Sequence, residues 1–365
     1  MSQAVPPLHA PLAFRRGPAM PNRLALAPLT NLQSQDDGSL SDDEFAWLVK
    51  RAVGGFGMVM TCAATTHALG KGFPRQLGVH DDAHLPGLER LATALRVAGA
   101  SSSVQLQHSG GRAPRDLIPD APVSAIDDPK RGVRALSTGE VEQAIEDFIL
   151  AGLRAERAGF DGVEVHGAHG YLLCQFLDTR NLRPDRYGGS ADNRSRMIRE
   201  VIAGLRARAR PDFQIGVRLS PERYGIDLGE ARALAARLLL EGEVEYVDIS
   251  CWDTFKLPED PAWQARDLIG WFTDLDRHGT ALGVAGKLTN ARNARQCLAR
   301  GADFVLIGRG AILHHDFARR VGEDDAFVSA PLPISRAHLA AEGLGSDFID
   351  YMATWPGFVA EEEAA

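Results

Sequence analysis

The chain has 365 residues, of which 45% are apolar and 24% charged, and its formal net charge is −8. These values are ordinary for a soluble globular enzyme, and the length suits one large barrel of alternating strands and helices. The acidic balance argues against nucleic acid as a partner, because proteins that bind phosphate backbones usually carry a basic surface.

Cysteine usage and the start of the chain narrow the class further. The four cysteines are widely spaced and form no C-x-x-C pair, so we expect neither a zinc site nor an iron–sulfur cluster, and we predict no metal site. Such cysteines favour a reducing, cytoplasmic location. Residues 1–17 contain prolines and no long apolar run, and no segment approaches the roughly 18 apolar residues of a membrane span. We therefore expect no signal peptide and no membrane partner.

Eight short apolar runs follow one another along the chain, separated by helix-like segments. They are rich in Val, Ile and Leu, as expected for parallel strands that are buried on both faces. The alternation predicts an α/β protein with a single-domain (β/α)8 TIM barrel. An open doubly wound sheet is the alternative, and it is disfavoured because no G-x-G-x-x-G motif follows an early strand. The runs are residues 23–27, 57–61, 103–107, 162–166, 214–219, 244–249, 281–285 and 303–307.

Two helices begin with clear local signals. Ser41 and Glu44 form a predicted capping box, in which Ser41 accepts from an early backbone N–H and Glu44 reaches back to the cap. A second helix is predicted to begin at Ser137 and to end at Gly159. Residues 1–330 are expected to form a lead-in and the barrel, and residues 331–365 a tail that packs on the barrel or on a partner subunit.

The fourth run ends in the most chemically suggestive segment, VEVHGAHGY at residues 163–171. Because barrel enzymes place their chemistry at the carboxyl ends of the strands, His166, His169 and Tyr171 are expected to converge there. Imidazoles can donate hydrogen bonds to an oxygen that gains negative charge, and a neutral phenol can deliver a proton. The alternatives are a satisfied polar His at a strand end, a His-x-x-His metal pair without an evident third ligand, and a Tyr used in packing.

Polar and glycine-rich positions lie at other strand ends. Gly286-Lys287 and Gly308-Arg309 follow the seventh and eighth runs, where barrels of this kind often bind phosphate. Thr30, Gln105 and Arg218 lie at the ends of the first, third and fifth runs and offer the donors that a flavin ring needs. Alone, each position is also explained as an ordinary loop glycine or a structural hydrogen-bond partner, but two such loops on consecutive strands favour a phosphate site.

Residues 161–202, DGVEVHGAHGYLLCQFLDTRNLRPDRYGGSADNRSRMIREVI, strongly resemble the old yellow enzyme family of FMN-dependent ene-reductases. Further landmarks extend the resemblance from residue 21 to residue 309. The resemblance implies FMN as cofactor and NAD(P)H as reductant. It also implies substrate-binding roles for His166 and His169 and proton donation by Tyr171. The residues that it places around FMN are Pro28, Leu29, Thr30, Ala63, Gln105, Arg218, Gly286, Lys287, Gly308 and Arg309.

The family's chemistry is a ping-pong hydride transfer to a small molecule with an activated double bond. Nitro-group or nitrate-ester reduction in the same pocket is an alternative, and a redox-silent flavin-binding protein is a third reading that the intact His166–His169–Tyr171 set disfavours. The chain lacks the length and the cysteine cluster of family members with an iron–sulfur half. A homodimer is the default expectation for the assembly.

Five positions depart from the family's pattern or stay open. Thr30 and Leu32 replace a Cys and an aromatic residue found in one subgroup, so no redox-tuning thiol contact with the flavin is expected. Cys62 occupies a position that is often acidic or Thr, and the sequence offers no reason for it. Tyr351 and Trp355 in the tail either reach a partner subunit's site or pack on the barrel of their own chain.

Overall fold

Each of the eight predicted runs forms a strand, and the strands pair in parallel around a closed barrel. This architecture is seen in a computed structural model that describes residues 5–361. The predicted (β/α)8 barrel is therefore confirmed. The barrel strands, in spatial order, are β1 (Leu24–Leu26), β2 (Met58–Thr65), β3 (Ser101–Gln107), β6 (Gly162–Gly167), β7 (Gln214–Leu219), β8 (Tyr246–Ser250), β9 (Ala281–Ala285) and β10 (Phe304–Ile307).

Helices connect the strands and cover the outside of the barrel. None of the helices within residues 5–361 is both long and apolar enough to cross a bilayer. The helices are α1 (Asp42–Val53), α2 (Leu85–Val97), α3 (Thr138–Arg157), α4 (Leu172–Leu177), α5 (Ala191–Arg194), α6 (Arg196–Arg208), α7 (Leu228–Glu241), α8 (Gly270–Thr273), α9 (Ala291–Ala299), α10 (Arg309–Leu313), α11 (Phe317–Glu323), α12 (Arg336–Ala341) and α13 (Ser346–Ala353).

The two helix starts behave differently from each other. The cap of α3 is a complete capping box, because Ser137 and Glu140 each bond the other's backbone N–H. At α1, Ser41 accepts from the Glu44 backbone as predicted, but the Glu44 side chain does not reach back. Its carboxylate instead accepts a hydrogen bond from Asn31 at 3.0 Å. The predicted capping box at α1 is thus wrong in its second half, because a buried loop residue offers Glu44 a better partner.

Strand β2 is longer than predicted and is irregular. Its pairing with β3 shifts register between Met60 and Ala63, so that Ala63 lies opposite Gln105. The long loop after β3 also contains a small two-stranded sheet that the sequence did not reveal, formed by β4 (Val123–Ser124) and β5 (Arg134–Ala135). A bulge and a loop sheet of this size depend on contacts beyond the local apolar pattern.

The interior of the barrel has an apolar floor. Side chains near the amino ends of several strands form most of this cluster. Leu12 and Met20 of the lead-in segment complete it, and their backbones are hydrogen-bonded to each other. Phe304 packs edge-on against Tyr246, with ring centroids 5.5 Å apart, and Phe14 packs against both rings. Above this floor the interior becomes polar, and the lining changes to His, Arg, Asp, Glu and Gln side chains.

The C-terminal segment packs on its own barrel. Phe348 is fully buried against Trp47 of α1, with ring centroids 5.4 Å apart. The backbone N–H of Gly345 donates to the Gln33 side chain at 2.8 Å, in the loop that follows β1. Tyr351 and Trp355 also pack against this core. The described part of the tail therefore contacts the barrel of its own chain. The first four and last four residues, 1–4 and 362–365, lie outside the described residues.

Candidate active site

Three aromatic side chains converge at the carboxyl end of β6. His166 is the last but one residue of the strand, His169 lies in the following turn, and Tyr171 immediately precedes α4. The His166 and His169 rings are 5.0 Å apart between centroids, and the His166 and Tyr171 rings are 5.4 Å apart. The structure therefore brings the three predicted catalytic residues to one place on the rim of the barrel.

The turn that carries His169 is held by polar contacts from three other segments. Its backbone N–H donates to Ser220 Oγ at 2.9 Å, and its ring Nε2 lies 2.9 Å from Ser250 Oγ. The Arg112 guanidinium binds the His169 carbonyl and also lies 5.1 Å from the centroid of the Tyr171 ring. These contacts keep His169 at a φ of 62°, in the left-handed region that costs a non-glycine residue on the order of 1–3 kcal/mol. Strained backbone of this kind is typical of functional sites.

A buried ion pair lies beside His166 on the neighbouring strands. Arg218 on β7 is the register partner of His166 on β6 and of Asp248 on β8. Its Nε is 3.1 Å from Asp248 Oδ2, and both side chains are almost completely buried. Its Nη2 donates to Ser250 Oγ at 3.3 Å, whereas Nη1 has no hydrogen-bond partner within residues 5–361. The N–H groups of Nη1 are therefore left to donate to a ligand in the barrel mouth.

A second polar pair lies beside the first. Gln105 Nε2 donates to Glu164 Oε1 at 2.7 Å, and the two residues face each other across β3 and β6. Because the amide nitrogen is committed to Glu164, the amide oxygen of Gln105 is left as an acceptor. Burial raises the pKa of Glu164, and the nearby Asp248 carboxylate raises it further. Burial also raises the pKa of Asp248, and Arg218 opposes that rise.

The converging rings are neutral at physiological pH. Burial and the Arg218 and Arg112 charges lower the pKa of His169 to about 3, and burial lowers the pKa of His166 well below its ordinary value. Burial raises the pKa of Tyr171. Two neutral imidazoles and a protonated phenol can donate hydrogen bonds to a polarised oxygen without adding a fixed charge. The Nδ1 atom of His166 has no partner within the described part of the chain, which suits that role.

The residues predicted to contact a flavin ring surround the same mouth. Pro28, Leu29 and Thr30 follow Ala27 at the end of β1 and are half-buried. Ala63 lies opposite Gln105, and its carbonyl accepts from the Gln76 side chain at 2.7 Å. These residues therefore lie toward the carboxyl ends of their strands, on the side of the barrel where the histidines lie.

The two predicted phosphate loops lie next to each other, since β9 and β10 are neighbours. A side chain added at Gly308 would meet only Leu29, at 3.4 Å, so a ligand can approach this backbone. Within residues 5–361 Arg309 has no hydrogen-bond or ion-pair partner, although its side chain is half-buried. Lys287 is different, because its ammonium is paired with Asp253 at 2.9 Å. The second loop therefore offers the freer positive charge.

Several site residues were not predicted. Asp248, Ser250 and Arg112 contact Arg218, His169 and Tyr171 respectively, and none of the three was singled out from the sequence. A usable signal existed for two of them, because Asp248 and Ser250 alternate as polar residues at the carboxyl end of an otherwise apolar strand. The unexplained Cys62 also gains a partner, since its thiol hydrogen-bonds the buried Glu44 carboxylate. Burial, and to a smaller degree this carboxylate, raise the pKa of the thiol.

One cluster elsewhere has metal-ligand composition. His314, His338 and Glu342 each have one ligand atom within 4.8 Å of the others. However, His314 Nε2 accepts a hydrogen bond from the Ala330 backbone N–H at 2.9 Å, so the ring proton of neutral His314 resides on Nδ1, the nitrogen that is left for a metal ion. A ligating imidazole has the opposite arrangement, with its remote nitrogen protonated. We therefore interpret this cluster as a hydrogen-bonded contact between the tail and the barrel.

Fold and site together define a class: a (β/α)8-barrel enzyme with a rim site of neutral donors above a buried cationic group. A model of the NADH:flavin oxidoreductase / NADH oxidase family matches residues 7–326 of the chain. The chain is 34% identical over 335 residues to YqiG of Bacillus subtilis, a probable NADH-dependent flavin oxidoreductase, covering 88% of this chain and 90% of that protein. It is 33% identical over 330 residues to the NADPH dehydrogenase of Listeria innocua, covering 87% and 95% respectively.

A solved structure agrees with these sequence matches. The old yellow enzyme homologue from Zymomonas mobilis superimposes with a TM-score of 0.80 at 25% identity, over 95% of this chain and 99% of that one. The chain belongs to the NADH:flavin oxidoreductase / NADH oxidase family and is of the old yellow enzyme type. It is an oxidoreductase that uses FMN with NADH or NADPH as reductant.

The residues present fit FMN. Among residues 5–361, Arg218 Nη1 and the Gln105 amide oxygen have no hydrogen-bond partner, and they match a ring edge that both accepts and donates hydrogen bonds. The open backbone at Gly308 and the Arg309 guanidinium, which is unpaired within the same residues, match a phosphate. These observations concern two ends of one elongated ligand and agree with each other.

Proposed function

We propose that this enzyme reduces the carbon–carbon double bond of α,β-unsaturated carbonyl or nitro compounds. The proposal is carried by the His166 ring, whose centroid lies 5.0 Å from that of His169 and 5.4 Å from that of Tyr171, and by Arg218 opposite His166 on the neighbouring strand. Two neutral imidazole donors can hold one substrate oxygen, and a neutral phenol can protonate an adjacent carbon. Bound FMN supplies hydride at N5 after reduction by NAD(P)H.

The histidines act where charge develops. Hydride arrival at the β-carbon moves electron density onto the substrate oxygen, so hydrogen bonds from His166 and His169 strengthen in the transition state. The lowered pKa values of both rings keep them neutral, so each gives a donor without demanding a counter-ion. Tyr171 then delivers its proton to the α-carbon, and the raised pKa of its phenol keeps that proton in place beforehand.

The remaining predicted site residues bind the cofactor in this proposal. Pro28, Leu29, Thr30 and Ala63 would line the ring, and Gln105 would bind its pyrimidine edge. Arg218 would bind the edge that carries N1 and O2 and would favour negative charge there. The residues proposed for the phosphate are Gly286, Lys287, Gly308 and Arg309. We further propose that residues 1–330 form the FMN-binding unit and that residues 331–365 form a tail packed on it.

The decisive experiment follows the flavin absorbance without oxygen. Purified protein is reduced with NADPH or NADH, and 2-cyclohexenone is then added. We expect the visible band to bleach with reductant and to return with the enone, together with formation of cyclohexanone. Cyclohexanone itself, which has no activated double bond, is the matched control and leaves the band bleached. A reduced flavin that ignores enones but is reoxidised by a nitrate ester would replace the proposal with the nitrate-ester alternative.

A further inference from the structure

Ser250 contacts two parts of the site at once. It is the last residue of β8, and its Oγ lies 2.9 Å from His169 Nε2 and 3.3 Å from Arg218 Nη2. The first of these residues is proposed to hold the substrate and the second the flavin. A single hydroxyl group therefore joins the two halves of the site.

The direction of these hydrogen bonds follows from their chemistry. A guanidinium has donors and no acceptor, so Arg218 must donate to the Ser250 oxygen. The serine hydroxyl has one proton of its own, and His169 Nε2 is the acceptor within reach of it among the described residues. When that proton points at Nε2, Nε2 is the unprotonated nitrogen of a neutral imidazole. The ring proton of His169 then resides on Nδ1.

We propose that Ser250 is a positioning residue that fixes the Nδ1–H tautomer of His169, so that this ring presents a donor to the substrate oxygen. The catalytic benefit of this tautomer rests on the proposed function, whereas the presence of the tautomer does not depend on it. Burial and the neighbouring Arg218 and Arg112 charges favour the neutral ring, with a pKa of about 3. Because only a neutral ring has a tautomer to choose, the hydroxyl decides which nitrogen donates.

The tautomer can be read directly by nuclear magnetic resonance. Protein labelled with nitrogen-15 in histidine gives cross-peaks that distinguish a protonated ring nitrogen from an unprotonated one. A His169→Gln variant identifies the signals of His169 by their loss. We expect wild-type His169 to show a protonated Nδ1 and an unprotonated Nε2, and Ser250→Ala to show exchange between the two tautomers. A protonated Nε2 in the wild-type protein would overturn the proposal, whatever the enzyme reduces.

The consequence for binding is tested with a phenolate, an oxyanion that needs the same donors as a carbonyl oxygen. The probe is 4-hydroxybenzaldehyde, titrated against the FMN-loaded protein and followed by the change in flavin absorbance. We expect Ser250→Ala to weaken binding roughly tenfold, the effect of losing one well-oriented hydrogen-bond donor. Ser250→Thr keeps the hydroxyl group and should restore binding and the Nδ1–H tautomer.

A matched control removes a buried serine hydroxyl far from the site. Ser101 lies at the amino end of β3, is 4% exposed, and donates to the Gly57 carbonyl at 3.0 Å. Ser101→Ala should bind the phenolate as the wild-type protein does. If Ser250→Ala also binds it unchanged and keeps one tautomer, the role of Ser250 is refuted while the proposed function stands. If the wild-type enzyme reduces no enone but shows the expected tautomer, the proposed function fails and the role of Ser250 is retained.

Discussion

The two ends of the barrel interior differ in polarity. At the amino end, Phe304, Tyr246 and Met60 belong to an apolar cluster that the lead-in segment closes. At the carboxyl end, Arg218 and Asp248 are equally buried but charged, and Arg218 Nη1 and Asp248 Oδ1 have neither a hydrogen-bond nor an ion-pair partner within residues 5–361. The same strands therefore supply a mainly apolar floor and a charged mouth.

Because of this difference, we expect the amino end of each strand to contribute mainly to stability and the carboxyl end mainly to function. Close-packed apolar side chains stabilise the fold without any ligand. Buried polar atoms without partners cost free energy, and they are retained where a ligand supplies the missing hydrogen bonds. We therefore expect substitutions in the floor to change stability alone. Substitutions in the mouth should change chemistry, cofactor binding or pH dependence.

The largest expected effect is that of Tyr171→Phe in the mouth. Removal of a positioned proton donor typically slows the chemical step by about 10²- to 10⁴-fold. The phenylalanine ring keeps the packing under Arg112, whose guanidinium lies 5.1 Å from the Tyr171 ring. We expect slow reoxidation of the reduced flavin by 2-cyclohexenone and a normal rate of reduction by NAD(P)H, measured by stopped-flow absorbance. An unchanged rate of reoxidation would contradict the assignment of Tyr171 as proton donor.

The barrel could be predicted from the sequence because each of its strands produces a local pattern. Strands buried on both faces are continuous apolar runs, and eight of them between helices suffice to indicate closure. His166, His169 and Arg218 could be found for the same reason, since each lies at the end of such a run. The extension of β2 beyond Thr61 could not, because it depends on the bulge before Ala63 and on its register with β3.

The missed part of the site consists of contacts between distant segments. Ser250 and His169 are 81 positions apart in the chain, and the local sequence around either residue does not predict their hydrogen bond. The partner that Glu44 prefers, Asn31, is likewise fixed by how a loop folds over α1. A family resemblance transfers roles to matched positions, and it does not supply the residues that orient them.

The next largest effect should come from removing the positive charge of Arg218, which pairs with the buried Asp248 carboxylate. Arg218→Met leaves Asp248 buried without its partner, and such a loss typically costs about 3–5 kcal/mol in the free energy of unfolding. The FMN content of the purified protein should fall as well. Urea unfolding at pH 7 measures the first effect, and the ratio of flavin to protein absorbance measures the second.

The companion double variant, Arg218→Met with Asp248→Asn, removes both charges. It should regain part of the lost stability, because no buried charge is then left unpaired. It should not regain FMN. A double variant as unstable as the single one would show that packing of the Arg218 side chain, and not its ion pair, stabilises this layer.

The floor should respond in the opposite way. Phe304 is completely buried, so Phe304→Ala should lower the free energy of unfolding by about 3–5 kcal/mol through the cavity that it leaves. The FMN spectrum and the rate of enone reduction per bound FMN should stay unchanged, because no polar atom of the mouth is altered. A changed flavin spectrum would mean that the floor and the mouth are mechanically coupled.

The smallest effect concerns pH. His108 follows β3 at the rim, where burial lowers the pKa of its ring to about 3 from an ordinary value of 6.5, and its Nδ1 accepts from the Gly110 N–H at 3.0 Å. Between these two values the unfolded chain binds the proton and the folded protein does not, so this contribution to stability is complete above pH 6.5 and is lost as the pH falls. Lowering the pH from 7 to 5 should therefore cost the wild-type protein about 2 kcal/mol more than His108→Asn, whose amide oxygen keeps an acceptor without titrating. Phe304→Ala, altered only in the floor, should follow the pH dependence of the wild-type protein, and equal slopes for His108→Asn and wild type would place the acid sensitivity elsewhere than at this ring.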